Sequence, residues 1–196
     1  ISMPMLRRYN GGFFRTWSPD MAYVLGFFAA DGYMIRNKRG GCFVDFYSND
    51  RTIIKYVRTA TRSEHKITIR RSSVKNPSHH DTYRLQIGSK AWFDDLMALG
   101  FSQKKSRRMK LPEIPEKYFA DFVRGYFDGD GSAYLGRHWR KDREKEYWIF
   151  QINFTSSSKN FLHSLHEKLR PHVRGGSLSQ KGDGSFCLAF SKHDSV

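Results

Sequence analysis

The sequence predicts an α+β protein built as two similar units, each running helix, two strands, helix, two strands. Three observations carry this prediction. Residues 23–33 read YVLGFFAADGY and residues 122–132 read FVRGYFDGDGS, sharing the frame apolar, any, Gly, aromatic, Phe, any, small, Asp, Gly. A frame that returns about a hundred residues later marks a duplicated structural unit. The same succession of periodicities follows each copy. Finally, 39% hydrophobic and 15% aromatic residues supply a packed core, while 34 Lys and Arg against 19 Asp and Glu leave a net charge of +15 and point to a polyanionic partner.

Ser18 before Pro19 has the N-cap and first-position chemistry of a helix start, and Pro115 is given the same opening role for the second copy. After the first frame, alternation at 33–38 and 42–47 predicts two strands. Ser48-Asn49-Asp50 opens a helix to about 61, and alternation returns at 66–74 and 82–88. The second copy repeats this as strands at 133–140 and 147–155, a helix opened by Ser156-Ser157-Ser158, and strands at 173–181 and 185–191. The first unit continues into the amphipathic helix AWFDDLMALG, giving αββαββα over 1–100. The second, 115–196, stops shortly after Ser191-Lys192, so its closing helix is expected to be absent. Residues 101–114 are basic and contain proline without an apolar period, and read as the linker. The start Ile1-Ser2-Met3 predicts a preceding segment or an expression scar.

Small residues recur four apart along both motif helices: Ala22, Gly26 and Ala30 in one, Gly125 and Gly129 in the other. Glycine inside a helix costs up to about 1 kcal/mol against alanine, so its presence at the same phase in both copies calls for a close backbone approach. The two helices are expected to pack on each other through Gly26, Ala30, Gly125 and Gly129. Each then ends on an acid, Asp31-Gly32 and Asp130-Gly131, with the glycine suited to a left-handed helix end. A carboxylate is disfavoured at the negative end of a helix dipole. Two such charges about 4 Å apart repel by ~4 kcal/mol at an effective dielectric of 20, and a divalent cation relieves both penalties. All-oxygen donors suit Mg²⁺, Mn²⁺ or Ca²⁺, and metal-clamped phosphates are a route to phosphodiester hydrolysis.

The frames VLGFFAADG (24–32) and VRGYFDGDG (123–131) resemble the two motifs of a single-chain LAGLIDADG homing endonuclease, or meganuclease. That resemblance implies two curved, saddle-shaped antiparallel sheets lying in the DNA major groove and motif helices forming the inter-subdomain interface. It also implies metal-dependent double-strand cleavage leaving short 3′ overhangs. The family's metal-binding acids map onto Asp31 and Asp130. The earlier acid position is Ala29 in one copy and Asp128 in the other. Basic catalytic residues map onto Lys90 and Lys192, which share a Ser-Lys context at the end of each unit's fourth strand. The implied cofactor is Mg²⁺, with Mn²⁺ or Ca²⁺ able to substitute for binding. The implied partner is a duplex of about two helical turns bound by a monomer. Non-catalytic DNA-binding regulators and RNA-binding intron maturases share this fold, but degenerate relatives usually lose the acids that this chain keeps.

Alternation places Ile67, Ile69, Leu85 and Ile87 on one side of the first sheet and Lys66, Thr68, Arg70, Arg84 and Gln86 on the other. In the second unit Trp148, Phe150, Ile152 and Phe154 alternate with Gln151 and Asn153. Arg, Lys, Gln and Asn side chains can reach base edges in the major groove. The candidate DNA contacts are completed by Arg36, Lys38, Arg137, Arg140, Ser177, Ser179 and Lys181. Lys104, Lys105, Arg107, Arg108 and Lys110 are assigned to phosphates. Cys42 and Cys187 read as reduced core residues, and His163 with His166 lack further zinc ligands. No run approaches the roughly 18 apolar residues of a membrane span, and an intracellular, reducing compartment is expected.

Overall fold

The computed structural model describes residues 7–71, 81–103, 105–141 and 144–191. By its contacts the chain forms two compact units, one of Ile1–Gln103 with Glu113–Gly129, the other of Lys104–Pro112 with Asp130–Val196.

In the first unit, helix α1 (Pro19–Asp31) is capped as its sequence predicts: Ser18 Oγ accepts from the Met21 N–H at 3.1 Å. Met21 through Ala29 are all buried, as expected of a helix that is apolar all round. Strands β1 (Gly32–Arg36), β2 (Cys42–Ser48), β3 (Ile67–Arg70) and β4 (Thr82–Gly88) form an antiparallel sheet in the order β1-β2-β4-β3. Helix α2 (Arg51–Ala60) and helix α3 (Lys90–Ala98) pack on this sheet, burying Ile54, Val57, Trp92, Phe93 and Leu96. The rings of Phe27 and Phe28 bracket Phe46 of β2, at centroid separations of 6.5 and 5.8 Å. Each such buried ring contributes about 1.5–3 kcal/mol from surface removed from water.

The second motif helix, α5 (Phe119–Asp130), groups with the first unit as far as Gly129. Pro115 does not start it directly; it precedes a 3₁₀ turn, Glu116–Tyr118, that leads into the α-helix. The predicted left-handed helix end is also corrected. Gly32 is extended, with φ −83° and ψ 153°. Its glycine is required by space, because a Cβ there would run into the Phe28 ring.

The second unit repeats the sheet: β5 (Gly131–Arg140), β6 (Lys145–Ser156), β7 (Ser177–Gln180) and β8 (Phe186–Ser191) in the order β5-β6-β8-β7. Helix α6 (Lys159–Leu169) covers it with Phe161, Leu162 and Leu165, all buried, against Phe154, Leu188 and Phe190. The strand predicted over 173–181 shortens to Ser177–Gln180, because Gly175 and Gly176 take φ of 70° and 91° and break the extended run. The predicted linker carries a four-residue helix, α4 (Lys105–Arg108). It is followed by buried Met109, whose carbonyl accepts from Ser158 Oγ at 2.7 Å. Of the strand predicted over 66–74, β3 accounts for 67–70, and 72–80 lie outside the described residues.

Candidate active-site helix ends and nucleic-acid face

α1 and α5 meet through their glycines. A Cβ at Gly26 would overlap the Phe122 carbonyl oxygen, and a Cβ at Gly125 would overlap that of Tyr23. The two relations exchange equivalent positions of the motif copies, 26 for 125 and 23 for 122, each 99 residues apart, so the contact has the pseudo-symmetry of the repeat. One turn further on, Gly129 faces Ala30, and a side chain at 129 would come 3.3 Å from Asp31 Oδ2. A Cβ there would overlap the Ala30 methyl, so the glycine is required by close packing at this turn. Asp31 and Asp130 are the last residues of α1 and α5, and both are half-buried.

A polar pairing absent from the sequence reading lies along the same helices. Tyr23 donates its hydroxyl to Asp128 Oδ2 at 2.6 Å, and the Arg124 guanidinium lies 4.9 Å from the Tyr23 ring centroid. Burial, then the hydrogen bond to Asp128, push the Tyr23 phenol well above its ordinary pKa. Its ring meets Tyr56 edge-on at 4.8 Å, and Tyr56 in turn donates to Asp20 Oδ1 at 2.6 Å.

The register of the first sheet defines two faces. Met34, Val44, Phe46, Leu85 and Ile87 turn to the helices, and Tyr33, Ile35, Asp45, Tyr47, Arg84, Gln86, Thr68 and Arg70 line the other face. Lys66, just before β3, and Lys38, in the β1–β2 turn, are exposed. Arg36 shares the face of Met34, with its guanidinium 5.1 Å from the Phe93 ring centroid and 3.8 Å from Asp94. On the open face the sequence reading overlooked Asp45, only 2% exposed. Arg84 holds it by two hydrogen bonds, Nε to Oδ1 at 3.2 Å and Nη2 to Oδ2 at 3.0 Å. This bond raises the Arg84 pKa against the cost of its desolvation.

In the second sheet Gln151, Asn153, Thr155, Ser177, Ser179 and Cys187 share the face opposite Phe154 and Leu188. Lys181 bonds Thr155 Oγ1 at 3.1 Å, which draws it to that same face. Arg137 pairs in register with Trp148, on the opposite side, and lies 4.7 Å from that ring's centroid and 3.6 Å from Glu146. Arg140 ends β5 opposite Lys145. Cys42 and Cys187 are buried free thiols.

The model of the LAGLIDADG-like domain matches residues 18–97 and 118–170, most of the chain. This chain belongs to the LAGLIDADG family. Among solved structures it is similar to the I-LtrWI LAGLIDADG homing endonuclease bound to target DNA, with 14% identity, a TM-score of 0.57, and coverage of 93% of this chain and 80% of that one. The meganuclease I-SmaMI bound to uncleavable DNA aligns at 13% identity and TM-score 0.60, over 89% of this chain and 79% of its own. I-DmoI in complex with DNA and Mn aligns at 16% identity and TM-score 0.54, over 91% and 89%. No curated protein matches the sequence.

The donor chemistry of the LAGLIDADG helix ends can be set against a metal ion. Among the described residues no cluster of three or more His, Cys, Asp and Glu forms a closed cage. The half-buried aspartate that closes each motif helix offers hard oxygen donors of the kind that suit an ion keeping waters and taking phosphate oxygens. Taken singly, the carboxylate chemistry of Asp31 and of Asp130 suits an ion such as Mg²⁺ better than one that demands four protein ligands. Lys90 does not end β4; it is the first residue of α3, capped by Ser89, and its exposed ammonium pairs with Asp94 at 2.6 Å. Lys192 lies outside the described residues. His166 Nε2 lies 2.8 Å from the Gly175 carbonyl oxygen. Among the described residues no helix is long and apolar enough to cross a membrane.

Proposed function

We propose that this LAGLIDADG protein is a sequence-specific double-strand DNA endonuclease that hydrolyses phosphodiesters with a divalent metal ion and leaves 3′ overhangs. The observation that carries the reading is the glycine-mediated contact of α1 and α5, each helix closing on an aspartate that helix electrostatics disfavour. The DNA complexes of I-LtrWI, I-SmaMI and I-DmoI, the last with Mn, support duplex DNA as partner and a divalent ion as cofactor.

In this reading Asp31 and Asp130 would hold the divalent metal, which when bound would supply charge neutralisation at the scissile phosphate and activation of water. Arg84, Gln86, Thr68, Arg70, Gln151 and Asn153 face base edges from the two sheets. Lys38, Lys66 and the basic 104–110 segment set affinity through phosphates. Lys90 and Lys192 stabilise developing charge; Lys90 must first exchange Asp94 for phosphate, a small cost for an exposed ion pair. The test is cleavage selection on a randomised duplex library in Mg²⁺, Ca²⁺ and chelator. A unique cut site in Mg²⁺ that vanishes with chelator is expected; cleavage in chelator, or none on any duplex, overturns the proposal.

A further inference from the structure

Asp45 is the most deeply buried acid named on the open face of the first sheet, and its burial there needs a reason. A carboxylate on a surface that meets phosphates lowers affinity, and taking it out of water adds a desolvation cost. The surroundings show what it holds. Arg84 presents Nε and Nη2 to Asp45 in a side-on fork at 3.2 and 3.0 Å. Tyr47 Oη and Gln86 Nε2 each reach Asp45 Oδ2 at 3.5 Å, and the Arg84 guanidinium lies 5.5 Å from the Tyr47 ring centroid. Arg84 sits two strands deep, paired with Thr68 of β3 on one side and Tyr47 of β2 on the other. Its side chain nevertheless keeps 36% of its surface exposed.

A guanidinium carries five donors in a rigid plane. The fork to Asp45 occupies the Nε–Nη2 edge and leaves the Nη1–Nη2 end edge with two parallel N–H groups. Guanine alone offers two adjacent acceptors, O6 and N7, in the major groove; adenine replaces O6 with a donor. We propose that the Asp45–Arg84 pair is a prearranged specificity element that reads one guanine, Asp45 acting as the positioning residue and Arg84 as the reader. This rests on the duplex-DNA reading above. Holding the guanidinium in place before binding removes the rotamer entropy that a free arginine loses on contact, and it denies Arg84 to the phosphates.

The test is selection of bound duplexes from a fully randomised library in Ca²⁺, comparing wild type with Arg84→Lys, Asp45→Asn and the double variant Asp45→Asn/Arg84→Gln. Lysine keeps the charge opposite Asp45 but cannot fork. The double variant removes both charges, so that no buried carboxylate is left without its partner. Wild type should demand guanine at one position by roughly 5- to 150-fold over other bases. Arg84→Lys and the double variant should lose that preference alone and keep the others. Asp45→Asn should weaken it while steepening the salt dependence by up to about 0.9 in slope, as the released guanidinium turns to phosphate. A selected site unchanged at every position in both Arg84 variants, or a lost preference for a base other than guanine, overturns this inference and leaves the endonuclease reading standing. No enrichment of any duplex by wild type overturns both.

Discussion

Gly26 stands against the Phe122 carbonyl as Gly125 stands against the Tyr23 carbonyl, so the helix pair is closed by two backbone contacts that no side chain can enter. Alanine at either position raises intrinsic helix propensity by up to about 1 kcal/mol. That gain is outweighed, because the group displaced is backbone and cannot rotate away. Overpacking of this kind costs about 1–3 kcal/mol even where side chains can yield. Gly26→Ala and Gly125→Ala should each lower the urea midpoint, and Gly125→Leu should abolish folding. Gly182→Ala, with nothing within 4 Å of the new methyl, is the control and should be neutral. A well-folded Gly125→Leu protein of unchanged stability would refute the packing.

The Tyr23–Asp128 bond predicts a second stability effect with a defined pH sense. Tyr23→Phe removes a charge-assisted hydrogen bond across α1 and α5 and should cost about 1–2 kcal/mol. At alkaline pH both tyrosines of this cluster contribute. Tyr56 is pushed up to about 12 by burial and by its bond to Asp20, and Tyr23 is raised as well. Their folded pKa values exceed the unfolded ones, so the folded chain retains protons that the unfolded chain has released. Their stabilisation is complete below pH about 10 and is lost as pH rises through 12. Tyr23→Phe and Tyr56→Phe should each flatten the alkaline limb of stability. Tyrosinate absorbance that titrates near 10 for every tyrosine of the folded chain would contradict this.

The repeat, the helix caps and the four-apart small residues were legible because they are local: a phase, a cap or a frame can be read along the chain. What escaped were pairings between residues far apart. Tyr23 and Asp128 are 105 positions apart and Asp45 and Arg84 are 39, and nothing in either local pattern names the partner. Asp45 did leave a trace, an acid amid the apolar Phe43-Val44 and Phe46, but alternation alone assigns such a residue to water. The face of Arg36 and of Arg137 was not legible for a related reason. Basic character stood in for face, whereas parity with Met34 puts Arg36 on the helix side, and the Trp148 register puts Arg137 there too.

Charge carries a prediction that separates affinity from reading. With a net charge of +15, duplex binding should weaken steeply with salt, at a slope of about −0.9 per phosphate contact. Six to ten contacts, an ordinary number, correspond to a loss of roughly 10³- to 10⁵-fold between low and moderate salt. Lys66→Ala should reduce the slope by about 0.9 and weaken all duplexes alike, being an exposed cation just before β3. A flat salt titration of the wild-type protein would argue against a nucleic-acid ligand.

Asp31→Asn and Asp130→Asn should divide chemistry from binding. Asparagine keeps the size of the side chain at the helix end and removes the charge that would hold a hard divalent ion. Loss of several kcal/mol of metal-borne stabilisation corresponds to a fall in cleavage of about 10²-fold or more. The folds should survive, since aspartate at a helix C-terminus opposes the macrodipole and its neutralisation relieves about 0.3–1 kcal/mol. Binding should be kept, and in chelator should tighten, because a carboxylate beside phosphates is removed. If each acid serves its own strand, one variant should nick where the other does not; if the acids share an ion, both should lose cleavage of both strands. Cleavage and binding of one selected duplex by wild type and both variants in Mg²⁺, Ca²⁺ and chelator decide between these outcomes. Full double-strand cleavage by either variant would remove that aspartate from the mechanism.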